Sequence, residues 1–112
     1  MNLKSTFISI TLLLILSINA HAVSVSQRTI KQVDVVDVNG EPNVLVKLEG
    51  GVPSTSCTDQ TAFVRPLNDH IGKFHMSTAL TALAIKKKVD VIGTNTCGAF
   101  NVEIMKNIKL YD

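Results

Sequence analysis

The chain contains two cysteines, Cys57 and Cys97, and 39 residues lie between them. Two cysteines allow a single intramolecular pairing, so the sequence leaves open only whether they are oxidised. A disulfide that closes a loop of this length would stabilise a fold by roughly 4 kcal/mol, because it restricts the unfolded ensemble. That is a large share of the roughly 5–10 kcal/mol that holds a small domain folded. The compartment of the protein therefore decides how strongly this loop constrains the fold.

Residues 1–22 have the pattern of a secretory signal peptide. Lys4 supplies a positive charge, Phe7–Ile18 is mostly apolar, and Ala20-His21-Ala22 places small residues at the positions that signal peptidase requires. The apolar run is too short for a comfortable membrane span. We expect cleavage after Ala22, a secreted or periplasmic location, and an oxidised cysteine pair in that compartment.

Residues 23–112 are long enough for one domain of about 90 residues. Without Lys4, ten basic residues face nine acidic ones, and the formal net charge is +1. A nearly neutral chain gives no case for nucleic acid or anionic lipid as a partner, and no stable membrane insertion is expected after signal cleavage. A domain of this size buries only about two thirds of its unfolded surface, so a disulfide or a neighbouring subunit would contribute stability.

Most of this domain has the composition of β-strands. The predicted hairpin has Asn39-Gly40 at its turn, because this dipeptide adopts the backbone conformation that two-residue hairpin loops require. Residues 23–27 show no strong preference, and a bulge is expected near Asn107, where Lys106 interrupts the apolar face of the last strand. The five predicted strands are Arg28–Val38, Asn43–Glu49, Thr61–Arg65, Val89–Thr94 and Asn101–Tyr111.

One helix is predicted from about Lys73 to Lys88, because apolar residues recur there at helical spacing. Asp69 is suited to cap its start, and the three lysines at 86–88 suit its C-terminal end, where cations interact favourably with the helix dipole. We interpret these lysines as a solvated helix end. One apolar stripe consists of Met76, Leu80 and Leu83, and the adjoining one of Phe74, Thr78, Ala82 and Ile85. Two stripes are compatible with a well-buried helix and with a homo-oligomer.

The polar segments that adjoin the two cysteines form the candidate binding surface. A disulfide would bring them together, and short hydroxyl and amide side chains on a rigid turn can hydrogen-bond a sugar or a peptide. The same composition is also ordinary for loops. The sequence offers no obvious aromatic platform for a sugar, since residues 23–112 contain no Trp. The residues of this surface are Ser54, Thr55, Ser56, Thr58, Asp59, Gln60, Thr94, Asn95 and Thr96.

No pattern in the sequence supports catalysis, a cofactor or a metal site, and we expect a protein that is not an enzyme. His70 and His75 are five positions apart, which does not place two ring nitrogens on one helix face. The acidic residues are scattered along predicted turns and polar strand faces. A thiol enzyme with a histidine base is a remote alternative, because exported cysteine pairs tend to oxidise.

The order of elements resembles the OB-fold B subunits of bacterial AB-type toxins, in particular the subtilase-cytotoxin and pertussis-like group. The matching features are Cys57, the helical segment Met76–Ala84, the strand Val89–Gly93, and Cys97. The resemblance implies a β-rich α+β domain: a small five-stranded antiparallel OB-like barrel or sheet with one helix inserted after the third strand. Such subunits form five-membered rings and bind cell-surface glycans. The likeness implies a similar role here, although it assigns no individual glycan-contacting residue.

The sequence therefore predicts an exported, non-enzymatic binding module at 23–112, stapled by one disulfide, whose partner is a glycan or a protein. The alternative is a structural or inhibitory envelope protein that acts through contact with another protein chain. A homo-oligomer is compatible with both hypotheses.

Overall fold

A computed structural model describes residues 23–111 and shows a six-stranded mixed β-sheet with one helix. Residues 1–22, which hold the predicted signal peptide, and residue 112 lie outside the described residues. In chain order the elements are β1 (Ser24–Arg28), β2 (Ile30–Val38), β3 (Glu41–Leu48), β4 (Asp59–Pro66), helix α1 (His70–Ile85), β5 (Val89–Cys97), a 3₁₀ turn (Ala99–Asn101) and β6 (Val102–Leu110). The prediction of a β-rich domain with a single helix is confirmed for the described residues.

The strand order in the sheet is β1-β5-β6-β4-β3-β2, and all neighbours are antiparallel except β4 and β6. The prediction of a purely antiparallel sheet was therefore wrong. Helix α1 carries the chain from β4 across to β5, and β5 and β6 then pair as antiparallel neighbours. As a result, β6 pairs with β4 and runs parallel to it. The pattern of strands in the sequence does not show whether β5 or β6 pairs with β4.

The sheet has six strands and not the predicted five, because residues 24–28 form the edge strand β1. Val25 is buried between exposed Ser24 and Ser26, which is a short alternating pattern that the analysis of the sequence passed over. Gln27 has a positive φ of 55° and the β1–β5 register shifts before Arg28, so the chain is interrupted there. The sheet is open: β1 and β2 are its two edges, although Thr29 alone separates them along the chain.

The hairpin between β2 and β3 forms at the predicted Asn39-Gly40 turn. Both residues have positive φ, 53° and 86°, which is the conformation of the turn type that Asn-Gly favours. The carboxylate of Asp37 accepts a hydrogen bond of 2.7 Å from the backbone N–H of Gly40 and fixes the turn. The Asn-Gly dipeptide alone was therefore enough to predict the position of this turn.

Helix α1 begins at His70 and ends at Ile85, so it starts and stops three residues earlier than predicted. Asp69 caps its start as expected, since its side chain accepts a hydrogen bond from the N–H of Gly72. Lys86 adopts the left-handed conformation with φ 57° and ends the helix. The face that packs on the sheet has small or polar residues: Gly72, His75, Ala79 and Ala82.

The main core lies between α1 and the sheet and is built from side chains such as Phe63, Val91 and Met105. A second, smaller cluster around Val64 and Val102 occupies the opposite face of β3, β4 and β6. The register of β5 and β6 shifts at Gly93 and leaves Lys106 unpaired, which confirms the bulge predicted near Asn107. Among residues 23–111, no helix is both long and apolar enough to cross a membrane.

Candidate functional site

The two cysteines are joined in a disulfide, and their Cα atoms are 5.7 Å apart. This bond ties the loop that leads into β4 to the end of β5. Its two halves differ in environment: Cys57 is buried, whereas Cys97 is exposed. The bond is compatible with an extracellular or periplasmic protein. In this bridged form neither sulfur is a free thiol, and the described residues contain no other cysteine.

A fully buried carboxylate, that of Glu103, joins the same two segments without a covalent bond. Its Oε1 accepts a hydrogen bond of 2.7 Å from the Thr55 hydroxyl, and its Oε2 accepts one of 2.6 Å from the backbone N–H of Asn95. Oε1 also lies 3.8 Å from the sulfur of Cys57. No salt bridge to Glu103 is present among residues 23–111, so these donors stabilise a group that would be costly to bury alone.

Gly93 provides the room for this carboxylate. A Cβ atom at position 93 would lie 2.6 Å from Oε2 and 2.8 Å from Cγ of Glu103, which is closer than real Cβ contacts. The prediction that Glu103 lies on a polar strand face was wrong, because its side chain is fully buried. The available signal was Gly93 itself, since an isolated glycine in a strand pattern indicates a close approach.

The predicted binding surface adjoins both cysteines of the disulfide, but not all of its residues are exposed. Thr55 is buried beneath the surface and binds Glu103, and its hydroxyl also accepts a hydrogen bond from the N–H of Cys57. Asn95 and Thr96 belong to β5 and not to a turn, since that strand continues past the predicted end at Thr94 to Cys97. The exposed members are Ser54, Ser56, Thr58, Gln60, Thr94, Asn95 and Thr96.

Asp59 is half-buried and is engaged in local hydrogen bonds. Its Oδ1 accepts from the hydroxyl of Thr61 at 2.6 Å and from the N–H of Thr61 at 2.9 Å. These bonds, first the hydroxyl and then the backbone one, hold the pKa of the Asp59 carboxyl below its usual value, and Lys47 adds to the effect. Asp59 thus fixes the start of β4 and is less available to a ligand than its neighbours.

The connection between β5 and β6 holds an exposed aromatic ring in a strained backbone. Phe100 and Asn101 both have positive φ, 57° and 56°, and Phe100 is 62% exposed. Left-handed conformations of residues other than glycine cost of order 1–3 kcal/mol each and persist where the surroundings enforce them. The Asn101 amide donates a hydrogen bond of 2.7 Å to the hydroxyl of Thr58, which anchors the connection to the segment that follows Cys57.

A shallow cleft of about 420 Å³ lies between this connection and the β2–β3 turn. Its polar groups come from Asn39, Glu41 and Asn43, and Ala99 contributes from the connection next to Phe100. We call it the Phe100 cleft; its lining residues are Val38, Asn39, Glu41, Asn43, Pro66 and Ala99. The sequence analysis did not identify it, because its walls are 60 residues apart in the chain. A signal was present in each wall, the Asn-Gly turn and the phenylalanine of the Gly98–Asn101 segment.

His75 is a buried polar residue in the contact between α1 and the sheet. It is 7% exposed, and its Nδ1 has no hydrogen-bond partner among the described residues. Burial lowers the pKa of His75, the nearby Arg65 guanidinium lowers it further, and Asp69 opposes this. Arg65 itself forms an ion pair of 2.9 Å with Asp69, whose pKa is held below normal mainly by the Gly72 N–H. The neutral imidazole is therefore the form that the fold prefers.

No group of three or more His, Cys, Asp or Glu side chains within residues 23–111 is arranged to hold a metal ion. Comparison of the chain with known protein families, with curated proteins and with solved structures finds no match. The functional argument therefore depends on the geometry of this chain.

We predict that Glu103→Gln lowers the free energy of unfolding of the oxidised protein by about 1–3 kcal/mol. The amide has one acceptor oxygen in place of two, so a buried donor at Thr55 or Asn95 loses its partner. Denaturant unfolding at neutral pH measures the change. Glu49→Gln is the matched control: it makes the same chemical change at an exposed position and should alter stability by less than about 0.5 kcal/mol. Equal stability of the two variants would contradict the role of Glu103.

We also predict that the protein loses stability as the pH falls below about 6.5, the ordinary value for histidine. Because the pKa of His75 is lower in the folded state, protonation favours unfolding; the loss reaches at most about 1.4 kcal/mol per pH unit for one proton. The lowered pKa values of Asp59, Asp69 and Asp90, ordinarily 3.8, act only at more acidic pH.

The measurement is urea unfolding at a series of pH values between about 7 and 5, where histidine titrates. His75→Gln should abolish most of the dependence in this window, whereas His70→Gln, at the exposed helix start, should preserve it. A His75→Gln variant with the pH dependence of the parent would show that another group is responsible.

Proposed function

We propose that this protein is an exported, non-enzymatic binding module with an OB-like fold, and that it recognises a glycan at the Phe100 cleft. The observation that carries the proposal is Phe100: a large apolar ring, 62% exposed, in a strained backbone next in sequence to Ala99, which lines a cleft with amide and carboxylate groups. Strained residues concentrate at binding sites, where strain is tolerated for the sake of a fixed geometry. A secreted or periplasmic location follows from the disulfide under this proposal.

The position of the cleft in the fold supports the proposal. If β1 and β2 are counted as one strand interrupted at Thr29, the chain has five strands with a helix between the third and the fourth. The cleft then lies between the loop that joins strands one and two and the loop that joins strands four and five. In OB-folds these two loops and the adjoining sheet face bind oligosaccharides and oligonucleotides. The low net charge, and the acidic side chain of Glu41 in the cleft, favour a sugar over a nucleic acid.

The chemistry of the cleft also suits a sugar. An exposed aromatic ring offers an apolar surface to the C–H face of a pyranose, and side-chain amides and carboxylates pair with its hydroxyls. Asn39 is exposed on the turn, whereas Asn43 is buried with its amide directed to the backbone oxygen of Glu41 at 3.3 Å. Asn39 and Glu41 are thus the groups best placed to meet a ligand. The glycan-binding role implied by the resemblance to toxin B subunits is consistent with this site.

The test is a glycan array probed with the mature protein, followed by the best glycan in calorimetry. Phe100→Ala should weaken binding at least about tenfold, as expected when a central aromatic contact is truncated. Phe74→Ala is the matched control, since Phe74 is an exposed phenylalanine on α1 and is not part of the cleft lining. Binding that survives Phe100→Ala, or that Phe74→Ala weakens as much, would overturn the site.

Phe100→Gly separates binding from stability. Glycine adopts the left-handed conformation without strain, so this variant should unfold at equal or higher denaturant concentration than the parent while it loses glycan binding. A variant that loses both stability and binding would indicate that Phe100 is a structural residue.

A protein partner remains the second candidate function, and one observation favours it. β2 is an edge of the sheet, and Val35 on it is 58% exposed beside a small groove of about 250 Å³. An extended peptide could add to such an edge as a further strand. This function would be favoured over the first by two results together. The glycan array would show no binding, and a pull-down would recover a protein that is lost with the Val35→Pro variant.

A further inference from the structure

One flank of helix α1 exposes large apolar side chains to solvent. Phe74 is 70% exposed, and Ile71 and Ile85 on the same flank are 58% and 59% exposed. The contact with the core is made by other residues of the helix, including Ala79, Ala82 and the partly buried Met76 and Leu83, so the three exposed side chains are not needed for the core. An exposed apolar surface of this kind marks an interaction site.

The same region is cationic, which the net charge of the whole chain conceals. From His70 to Lys88 the sequence contains four lysines and no acidic residue. The last three lysines lie at the end of α1, and the backbone of Tyr111 donates a hydrogen bond of 2.7 Å to the carbonyl of Lys88. This bond holds the end of β6, with Lys109 and the exposed Leu110, beside the lysines at the end of α1. We call Ile71, Lys73, Phe74, Ile85 and the lysines at 86–88 the helix surface.

The acidic residues that flank α1 in the sequence, Asp69 and Asp90, have partners of their own. Asp69 caps α1 and pairs with Arg65. Asp90 accepts hydrogen bonds of 2.9 Å from the N–H of Gln27 and from the Ser26 hydroxyl, and it faces Lys109 across the β5–β6 pair. The helix surface therefore presents positive charge and apolar area together.

This combination excludes some occupants. A second copy of the chain, docked through the same face, would bring four lysines against four lysines without a carboxylate between them, and like charges in contact are unfavourable. A bound helix or peptide normally needs a groove, but the Phe100 cleft and the groove beside Val35 are lined by strand and loop residues and by none from α1. Exposed side chains without a groove are better suited to a soft, flat partner.

We propose that the helix surface binds peripherally to a membrane that contains anionic lipids. Phe74, Ile85 and their neighbours would enter the boundary between headgroups and acyl chains, and the lysines would interact with the lipid phosphates. Exposed aromatic and aliphatic side chains combined with lysines are the pattern of such interfacial helices, which lie in the plane of the membrane. Each lysine near an anionic surface strengthens binding, and the effect is screened by salt.

The experiment is co-flotation of the mature protein with vesicles of phosphatidylglycerol and phosphatidylcholine, compared with phosphatidylcholine alone. Binding is expected only to the anionic vesicles and should fall as salt is raised. The triple variant Lys86→Gln, Lys87→Gln, Lys88→Gln should lose at least about tenfold in partitioning. The matched control is Lys31→Gln, Lys47→Gln, Lys106→Gln, which removes the same charge from the sheet and should bind like the parent.

Phe74→Ala distinguishes this proposal from the glycan site. It should weaken vesicle binding and preserve glycan binding, whereas Phe100→Ala should do the reverse. The proposal is overturned if the protein fails to bind anionic vesicles, if it binds neutral vesicles equally well, or if the two lysine variants behave alike. It is also overturned if glycerol phosphate in solution competes as well as vesicles do, or if an acidic peptide binds where vesicles do not.

Discussion

The buried carboxylate of Glu103 is the interaction on which the geometry of this domain depends. Its two donors, Thr55 and Asn95, each lie two residues before a cysteine of the disulfide. One covalent and one electrostatic connection thus join the same two segments. The disulfide acts mainly by restricting the unfolded chain, whereas hydrogen bonds of the carboxylate fix the orientation of the segments in the folded state.

The exposed ring of Phe100 follows from this double connection. Thr58 follows Cys57 directly, and its position determines where the Asn101 amide finds its hydrogen-bond partner. That bond holds two consecutive residues in the left-handed conformation, which a free loop would leave. Phe100, which follows Ala99 of the cleft lining, is 62% exposed in this conformation.

Local signals in the sequence were enough for some parts of this structure and not for others. The Asn39-Gly40 turn, the Asp69 cap and the disulfide depend on neighbouring residues or on a single pairing, and the structure contains all of them. The parallel pairing of β4 with β6 depends on how distant segments dock, and period-two alternation is the same for both directions.

The candidate site was only partly predictable for a similar reason. The polar segments near the cysteines could be recognised from composition, but burial of Thr55 depends on Glu103, which is 48 residues away. Likewise the cleft joins residues near 40 with residues near 99. The helix pattern identified the helix, yet it did not separate its buried residues from its exposed ones. Ala82 packs on the sheet, whereas Phe74 and Ile85 of the same predicted stripe are exposed.

The two proposed surfaces can act together because they share no residue and differ in charge. The Phe100 cleft draws on the β2–β3 turn and the β5–β6 connection, and its ionisable side chain is the acidic Glu41. The lysines at the end of α1 lie beside Val89, at the opposite end of β5 from Cys97. Nine strand residues at about 3.3 Å each place these ends roughly 25–30 Å apart. The lysines and Glu41 therefore lie toward opposite ends of β5, so a negatively charged partner is favoured at the lysines and a neutral ligand at the cleft.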